Sequence, residues 1–471
     1  MTPGRKLARF VAGLRWEAVA SELREKLQDH VLDTLGVICA GVGTPEGRAC
    51  EGVVQSWGCG EQCAVVGRSW RLPPLGAVFL NAFHARIQTF DTHDTGPFHP
   101  GCAALSAALA CSEVAGLTGR RFLTAVLAGY ETGTRVAAAV SPSHYDRGFQ
   151  STGTCNSFAA AAAAGHAMGF DGDALLECLG LAGQSASGLR QFQVDGSMID
   201  TSFAGARAAL VGVVSAQMRA AGLPGAQGVL DGRWGFCNVT ADDADLERLS
   251  SGLGERFEFA ATALKPYPSC RFTHGPVEEL LRLRVEHGIA AADVEEVVIF
   301  TFRHSIEVSD RPIVISTADA ILSHQYAAAL ALARGHVDLP AIADHAALDA
   351  VVSGLMRRIM VVHDEDLERL YPEHWPHRVT IRLRDGRSLA ASSTDPPGGR
   401  GRRLSRAVVK EKFLANAESL LGREAAEQTI EAVDDLPQAP NLERLVRNLS
   451  GISEGQAWAL PPSAATPRWA S

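Results

Sequence analysis

The chain has 471 residues, enough for two or three domains. Apolar residues make up 46% and charged residues 21%, the balance of an ordinary globular protein. A net charge of -9 and a pI of about 5.9 argue against a nucleic-acid surface, and no uninterrupted apolar run approaches the ~20 residues of a membrane span.

Residues 1–15 are basic but lack a long apolar stretch followed by a small-residue cleavage site, so a cytoplasmic location is expected. The ten cysteines are scattered. Cys59 and Cys63 are close, at a four-residue spacing without a second pair or a downstream His, so neither a zinc site nor a disulfide framework is expected.

Residues 16–42 place Leu23, Leu27, Val31 and Leu35 near helical spacing. Gly41-Val42-Gly43-Thr44-Pro45 then follows a helix rather than a strand. It is read as a helix stop and not as a dinucleotide-binding loop. Residues 64–67 are read as one short strand. Helices are expected over 75–88, 103–115, 121–140, 157–168, 173–187 and 201–221, many of them rich in alanine, which lets helices approach closely.

The character changes near Lys265. Residues 294–302, 359–362 and 379–383 are β-branched and apolar, and Asp385-Gly386 offers a hairpin turn into 388–390. Helices are expected at 273–285 and 323–333. The Pro- and Gly-rich stretch around Asp395 to Gly401 is a linker by composition, 405–450 returns to amphipathic helix, and the tail is expected to fray. The fold expected is mostly α. A large helical domain (1–264) is followed by a smaller α+β domain (265–393), and the C-terminal helices (394–471) return to the helical domain. A cleft between two such bodies commonly holds a small molecule.

The most distinctive segment is Phe90-Asp91-Thr92-His93-Asp94-Thr95-Gly96-Pro97-Phe98-His99-Pro100-Gly101. Its prolines and glycines exclude a helix interior or a buried strand, so it must be a loop between apolar helices. Acids and imidazoles on a loop held by a rigid scaffold suit proton transfer. Alone, it reads equally well as a solvated polar turn.

This loop, with its closing His99-Pro100-Gly101, resembles that of the MmgE/PrpD family, which includes 2-methylcitrate dehydratases, cis-aconitate decarboxylases and an iminodisuccinate epimerase. Further segments are similar in the same order: Gly129-Tyr130-Glu131; Arg147 to Thr154; Gly196-Ser197-Met198 with Gly205; Lys265-Pro266-Tyr267-Pro268-Ser269-Cys270-Arg271-Phe272-Thr273-His274; Ser323-His324-Gln325-Tyr326; Arg378 to Ile381 ahead of Asp385-Gly386-Arg387; and Lys412-Phe413. The resemblance implies the same large helical and smaller α+β domains, and a homodimer.

The chain also departs from the family pattern. Thr89 and Thr92 stand where the family commonly has aspartates on either side of the one kept as Asp91. Gln150 replaces a histidine, Asp200 a lysine, and Phe203 a histidine-like position. Eliminating water or carbon dioxide next to a carboxylate needs a cationic clamp, a base and a proton donor. The resemblance implies His99, His274, Tyr326 and Asp91 as catalytic groups. It implies Lys265, Arg271, Gln150, Asp200, Thr89 and Arg147 as substrate-binding, with Arg190 an additional cation. No metal and no cofactor are expected.

An aspartate at 200 would repel a substrate carboxylate by roughly a few kcal/mol at short range. A small carboxylic acid with fewer acids than the family's tricarboxylates, or one with an amine for Asp200, is the better expectation. The leading function is a cofactor-independent lyase, a dehydratase or decarboxylase. The alternatives are an isomerase or epimerase using the same site, and a non-catalytic binding or assembly protein. Neither nucleic acid nor membrane is an expected partner.

Overall fold

The computed structural model describes residues 1–58, 60–94, 97–347, 349–399 and 401–451. Cys59, Thr95, Gly96, Leu348, Arg400 and the tail after 451 lie outside the described residues. With them go one half of the cysteine pair and parts of the polar loop and the linker.

The protein is mostly α, with a smaller α+β region. The helices that position the site are α1 (Ser21–Val42), α2 (Pro74–Ile87), α3 (Gly101–Val114), α4 (Gly119–Val140), α5 (Ser151–Ala167), α6 (Ile199–Ala220), α7 (Arg271–His287), α8 (His324–Arg334) and α9 (Arg406–Leu421). α5 lies against α4 on one side and α6 on the other. Its run Ala159 to Ala164 is wholly buried. Facing glycines make this approach possible: a Cβ on Gly212 of α6 would lie 2.4 Å from Ala160 Cβ, and one on Gly129 of α4 would lie 3.0 Å from Ala163 Cβ.

Buried side chains from Leu7 through Leu264 form one hydrophobic cluster, joined by Val409 through Leu449 from the end of the chain. α9 returns onto α1, where Gly36 leaves room for Phe413. A second cluster draws on residues 277–391. Its sheet has β1 (Val294–Thr301) at the centre, parallel to β2 (Ile359–His363) and antiparallel to β3 (His377–Leu383). β4 (Ser388–Ser393) pairs with β3 at the edge. The turn from β3 to β4 uses Gly386 at φ +92°, a conformation that favours glycine.

Several expectations change in detail. The strand expected at 64–67 is the two-residue Cys63–Ala64, paired with Arg71–Leu72. Pro3–Ala12 is a helix whose Leu7, Ala8 and Val11 face the core, capped by the Thr2 side chain. The C-terminal helical stretch breaks at Gly422 into α9 and a second helix, Arg423–Asp435. No unbroken apolar run of span length was expected, yet α6 passes a length-and-composition test for a span. Over its whole length α6 is long and apolar enough, because it tolerates interruptions that an unbroken-run count rejects. Its packing against α5 and α2 is that of a core helix, with 61% of its most apolar window buried.

Candidate active site

The loop between α2 and α3 has too many prolines and glycines to satisfy its own backbone, so its carbonyls and amides are met from elsewhere. Thr89 takes the left-handed conformation at φ 51°, and its carbonyl accepts from Lys265 Nζ at 2.5 Å. The next carbonyl, Phe90, accepts from Lys412 Nζ at 3.1 Å, and the same ammonium stands 3.7 Å from the Phe90 ring centroid. His93 and Ala263 exchange backbone hydrogen bonds at 2.9 and 2.7 Å. Segments from the middle and the C-terminal part of the chain therefore fix the loop around Asp91.

Asp91 is fully buried. Its Oδ1 lies 2.5 Å from Arg86 Nη1 and 3.2 Å from His99 Nδ1, while Oδ2 has no hydrogen-bond partner among the described residues. His99 Nδ1 also lies 2.9 Å from the Thr92 carbonyl. Both neighbours are acceptors, so Nδ1 carries the proton and Nε2 is left with the lone pair. Burial alone would raise the Asp91 pKa, but the charge of Arg86, the hydrogen bond from His99 and the charge of Lys265 outweigh it and hold the carboxyl well below its usual range. Burial, reinforced by Arg86, lowers the His99 pKa to about 4 against the pull of Asp91. The pair is therefore a carboxylate and a neutral imidazole at neutral pH.

His93 stands beside His99, ring centroids 4.7 Å apart and nearly perpendicular, and its other side meets the Trp375 ring at 5.4 Å. Burial first, and the charges of Lys265 and Arg271, keep it neutral, and its Nδ1 has no hydrogen-bond partner among the described residues. Lys265 is buried, which lowers its pKa to about 8. Arg271 opens α7 and donates to the carbonyls of Pro397 and Pro396 at 3.2 and 3.5 Å, its guanidinium 5.8 Å from the Trp375 ring centroid. Burial lowers its pKa to about 10, so it stays charged.

Arg271 and Trp375 line a cleft with Asp94, Glu373, Asp395 and Gly399. The cleft encloses about 380 Å³ out to solvent, of which about 30 Å³ admits a water-sized group. His99 is not in its wall; His93 stands between His99 and Trp375.

Asp91, His99, Lys265, Arg271 and the Thr89 carbonyl are thus brought together. His274 sits in the same neighbourhood but turns inward. It is fully buried, its Nε2 donates to the Ser269 carbonyl at 3.1 Å, and burial with the charges of Lys265 and Arg271 keeps it neutral.

Other sequence-predicted residues stand apart from the cluster. Tyr326 donates to the Ala341 carbonyl at 2.7 Å inside the core of the α+β region. Arg147 pairs with Asp242 at 2.8 Å on the surface. Arg190 stacks on Tyr145 with its guanidinium 3.4 Å from the ring centroid. Gln150 is buried at the N-terminus of α5. Asp200 is exposed in the first turn of α6, and Phe203 on the next turn is 55% exposed. The charge argument built on Asp200 therefore has no contact in the cluster to act through.

Arg86 and His93 were not among the sequence-derived candidates. Arg86 lies in an apolar helix five residues before Asp91, which is the available signal; His93 had proximity alone. Among the described residues no group of three or more His, Cys, Asp or Glu is placed to hold a metal ion.

Comparison with known proteins adds an independent line. Residues 5–249 match the MmgE/PrpD N-terminal domain and residues 267–438 the MmgE/PrpD C-terminal domain. A cis-aconitate decarboxylase-like protein, oryM, of Aspergillus oryzae is 24% identical, covering 95% of this chain and 97% of its own. The cis-aconitate decarboxylase of Aspergillus terreus is 25% identical over 92% and 91%. That of Mus musculus is 25% identical over 95% and 93%. The two domain matches fall on the helical body and the α+β region that enclose the Asp91 loop, and on that ground the chain belongs to the MmgE/PrpD family.

Proposed function

We propose that this chain is a lyase of the dehydratase or decarboxylase type, acting by acid–base catalysis on a small carboxylic acid. The observation that carries the reading is the buried Arg86–Asp91–His99 chain, which fixes a neutral imidazole with its Nε2 lone pair available. The similarity to cis-aconitate decarboxylases over nearly the whole chain supports the reaction class.

Arg271 supplies a fixed cation for the substrate carboxylate. In a dehydration, His99 takes the proton from the carbon next to the carboxylate, and the Lys265 ammonium gives a proton to the departing hydroxyl, which leaves as water. In a decarboxylation, carbon dioxide leaves and Lys265 protonates the carbon it vacates. Lys265 has a pKa near 8, so it can donate at neutral pH and be recharged by solvent. His93 lies between the base and the cleft, in the place of a group that guides the substrate toward His99.

The reading carries a homodimer with it. Leu189, Val194, Ile199 and Phe203 leave an exposed apolar run before and at the start of α6, which a second copy would cover. Sedimentation of the purified chain tests that part.

The function is tested by incubating purified protein with a panel of small organic acids in deuterated water and following mass and label. Loss of water or carbon dioxide, abolished by His99→Asn, is the expected result. Label uptake without mass loss would replace the lyase by an isomerase. Neither change, across acids that bind, would make the chain a binding protein.

A further inference from the structure

We propose that Thr92, held by Tyr130, is a positioning residue for His99: its carbonyl sets which ring nitrogen carries the proton, and its hydroxyl keeps that carbonyl in place. The role in turnover rests on the acid–base reading above; the state of the ring does not.

Thr92 grips the closing end of the loop twice. Its carbonyl lies 2.9 Å from His99 Nδ1, nearer than Asp91 Oδ1 at 3.2 Å. Its Oγ1 accepts from the Gly101 amide at 3.0 Å, just past the imidazole, where α3 begins. A carbonyl orients a ring only if its own peptide plane is fixed. The plane that carries the Thr92 carbonyl also carries the His93 amide, which donates to the Ala263 carbonyl at 2.9 Å. Both edges of that plane are engaged, and the Oγ1 bond holds its Thr92 end. The backbone of His99 is itself fixed by Asn156, whose Nδ2 donates to its carbonyl at 2.9 Å. The freedom left to His99 is rotation of its ring, and that is what Thr92 removes.

The hydroxyl is anchored in turn. Tyr130 of α4 donates to Thr92 Oγ1 at 3.3 Å, and both side chains are fully buried. The tyrosine ring meets His30 and Phe259 edge-on, with centroids 5.6 and 4.9 Å away. A Cβ on Gly101 would lie 2.5 Å from Thr92 Oγ1 and 2.6 Å from Tyr130 Oη, so glycine lets the helix start this close to both hydroxyls. Thr92 does this without charge. A carboxylate at 92 would add a second anion beside Asp91 and favour a protonated ring.

The test is ring-nitrogen NMR of the full chain with isotope-labelled histidines, the His99 signals being those absent from His99→Asn. Wild-type His99 is expected to carry its proton on Nδ1 at neutral pH. Thr92→Val, matched in shape but without the hydroxyl, shifts it to a mixture of tautomers, and Thr92→Ser, which keeps the oxygen, restores the wild-type signal. For the acid turned over in the panel above, kcat falls roughly 10²-fold in Thr92→Val with KM little changed, and recovers in Thr92→Ser. Tyr130→Phe, which removes the donor and leaves Thr92 in place, moves both readings in the same direction and decides the matter if Thr92→Val does not fold. An unchanged His99 tautomer overturns the inference and leaves the hydroxyl a structural bond, whatever the turnover. A shifted tautomer with unchanged kcat overturns it as well. A shifted tautomer in a protein that turns over no acid supports the hold of Thr92 on the ring and counts against the lyase reading instead.

Discussion

Lys412 and Asp33 meet at 2.6 Å with side chains only 7% and 0% exposed, tying α9 to α1 directly beneath Phe90. The ammonium also donates to the Phe90 carbonyl, so it supports the backbone one residue before Asp91. Removing one partner of a buried pair leaves the other charge uncompensated. Lys412→Met is expected to cost about 3–5 kcal/mol in urea unfolding, with part regained in the Asp33→Asn, Lys412→Met double variant. A loss below about 1 kcal/mol would show the pair to be dispensable.

Tyr326 separates motif from role. Its hydroxyl is committed to the Ala341 carbonyl inside the α+β core. Tyr326→Phe should therefore lower stability by about 1–2 kcal/mol, the cost of a buried carbonyl losing its donor, and leave turnover unchanged. A large fall in kcat with unchanged unfolding would return Tyr326 to the catalytic set.

The helical body was legible because its alanine-rich segments and stop signals are local, and the strands because β-branched runs and Asp385-Gly386 are local too. The Pro3–Ala12 helix was missed because its basic residues masked a buried face of Leu7, Ala8 and Val11. Asp91 and His99 were readable since one loop carries both. Arg86 and Asp33 were not, and for His93 and Lys412, which the loop and the Lys412-Phe413 segment do single out, the role was not, since it comes from partners set by packing: Lys412 meets a carbonyl 322 residues away in the chain. Asp200 stands apart from the cluster for the same reason: its place in the motif is local, but within one chain packing leaves its side chain exposed.

Buried neutral histidines set the acid limit of the fold. Burial lowers the pKa to about 4 for His99, His144 and His166, and to about 3 for His84, His324 and His377, against 6.5 for the free side chain. Below 6.5 the unfolded chain takes up protons that the folded chain refuses, so stability falls as pH falls from there toward the folded values. One such imidazole accounts for roughly 2 kcal/mol between pH 6.5 and about 5, and a larger total loss is expected from urea unfolding across that interval. A flat stability over the same range would mean that these rings are charged or solvated in the folded protein.

The same burial shapes the activity profile. His99 must be neutral to act as base, which holds above about 4, and Lys265 must be protonated to act as acid, which holds below about 8. The rate should therefore rise through the first value, stay level across neutrality and fall through the second. Lys265→Arg keeps a donor for the Thr89 carbonyl and a permanent positive charge, so it should remove the alkaline limb while lowering the plateau. His99→Asn should lower the plateau by roughly 10²–10⁴ and remove the acid limb, leaving the alkaline one in place. The decisive comparison is the alkaline limb in the two proteins. If it persists unchanged in Lys265→Arg, the proton donor is another group, and Lys265 serves only to hold the loop at Thr89.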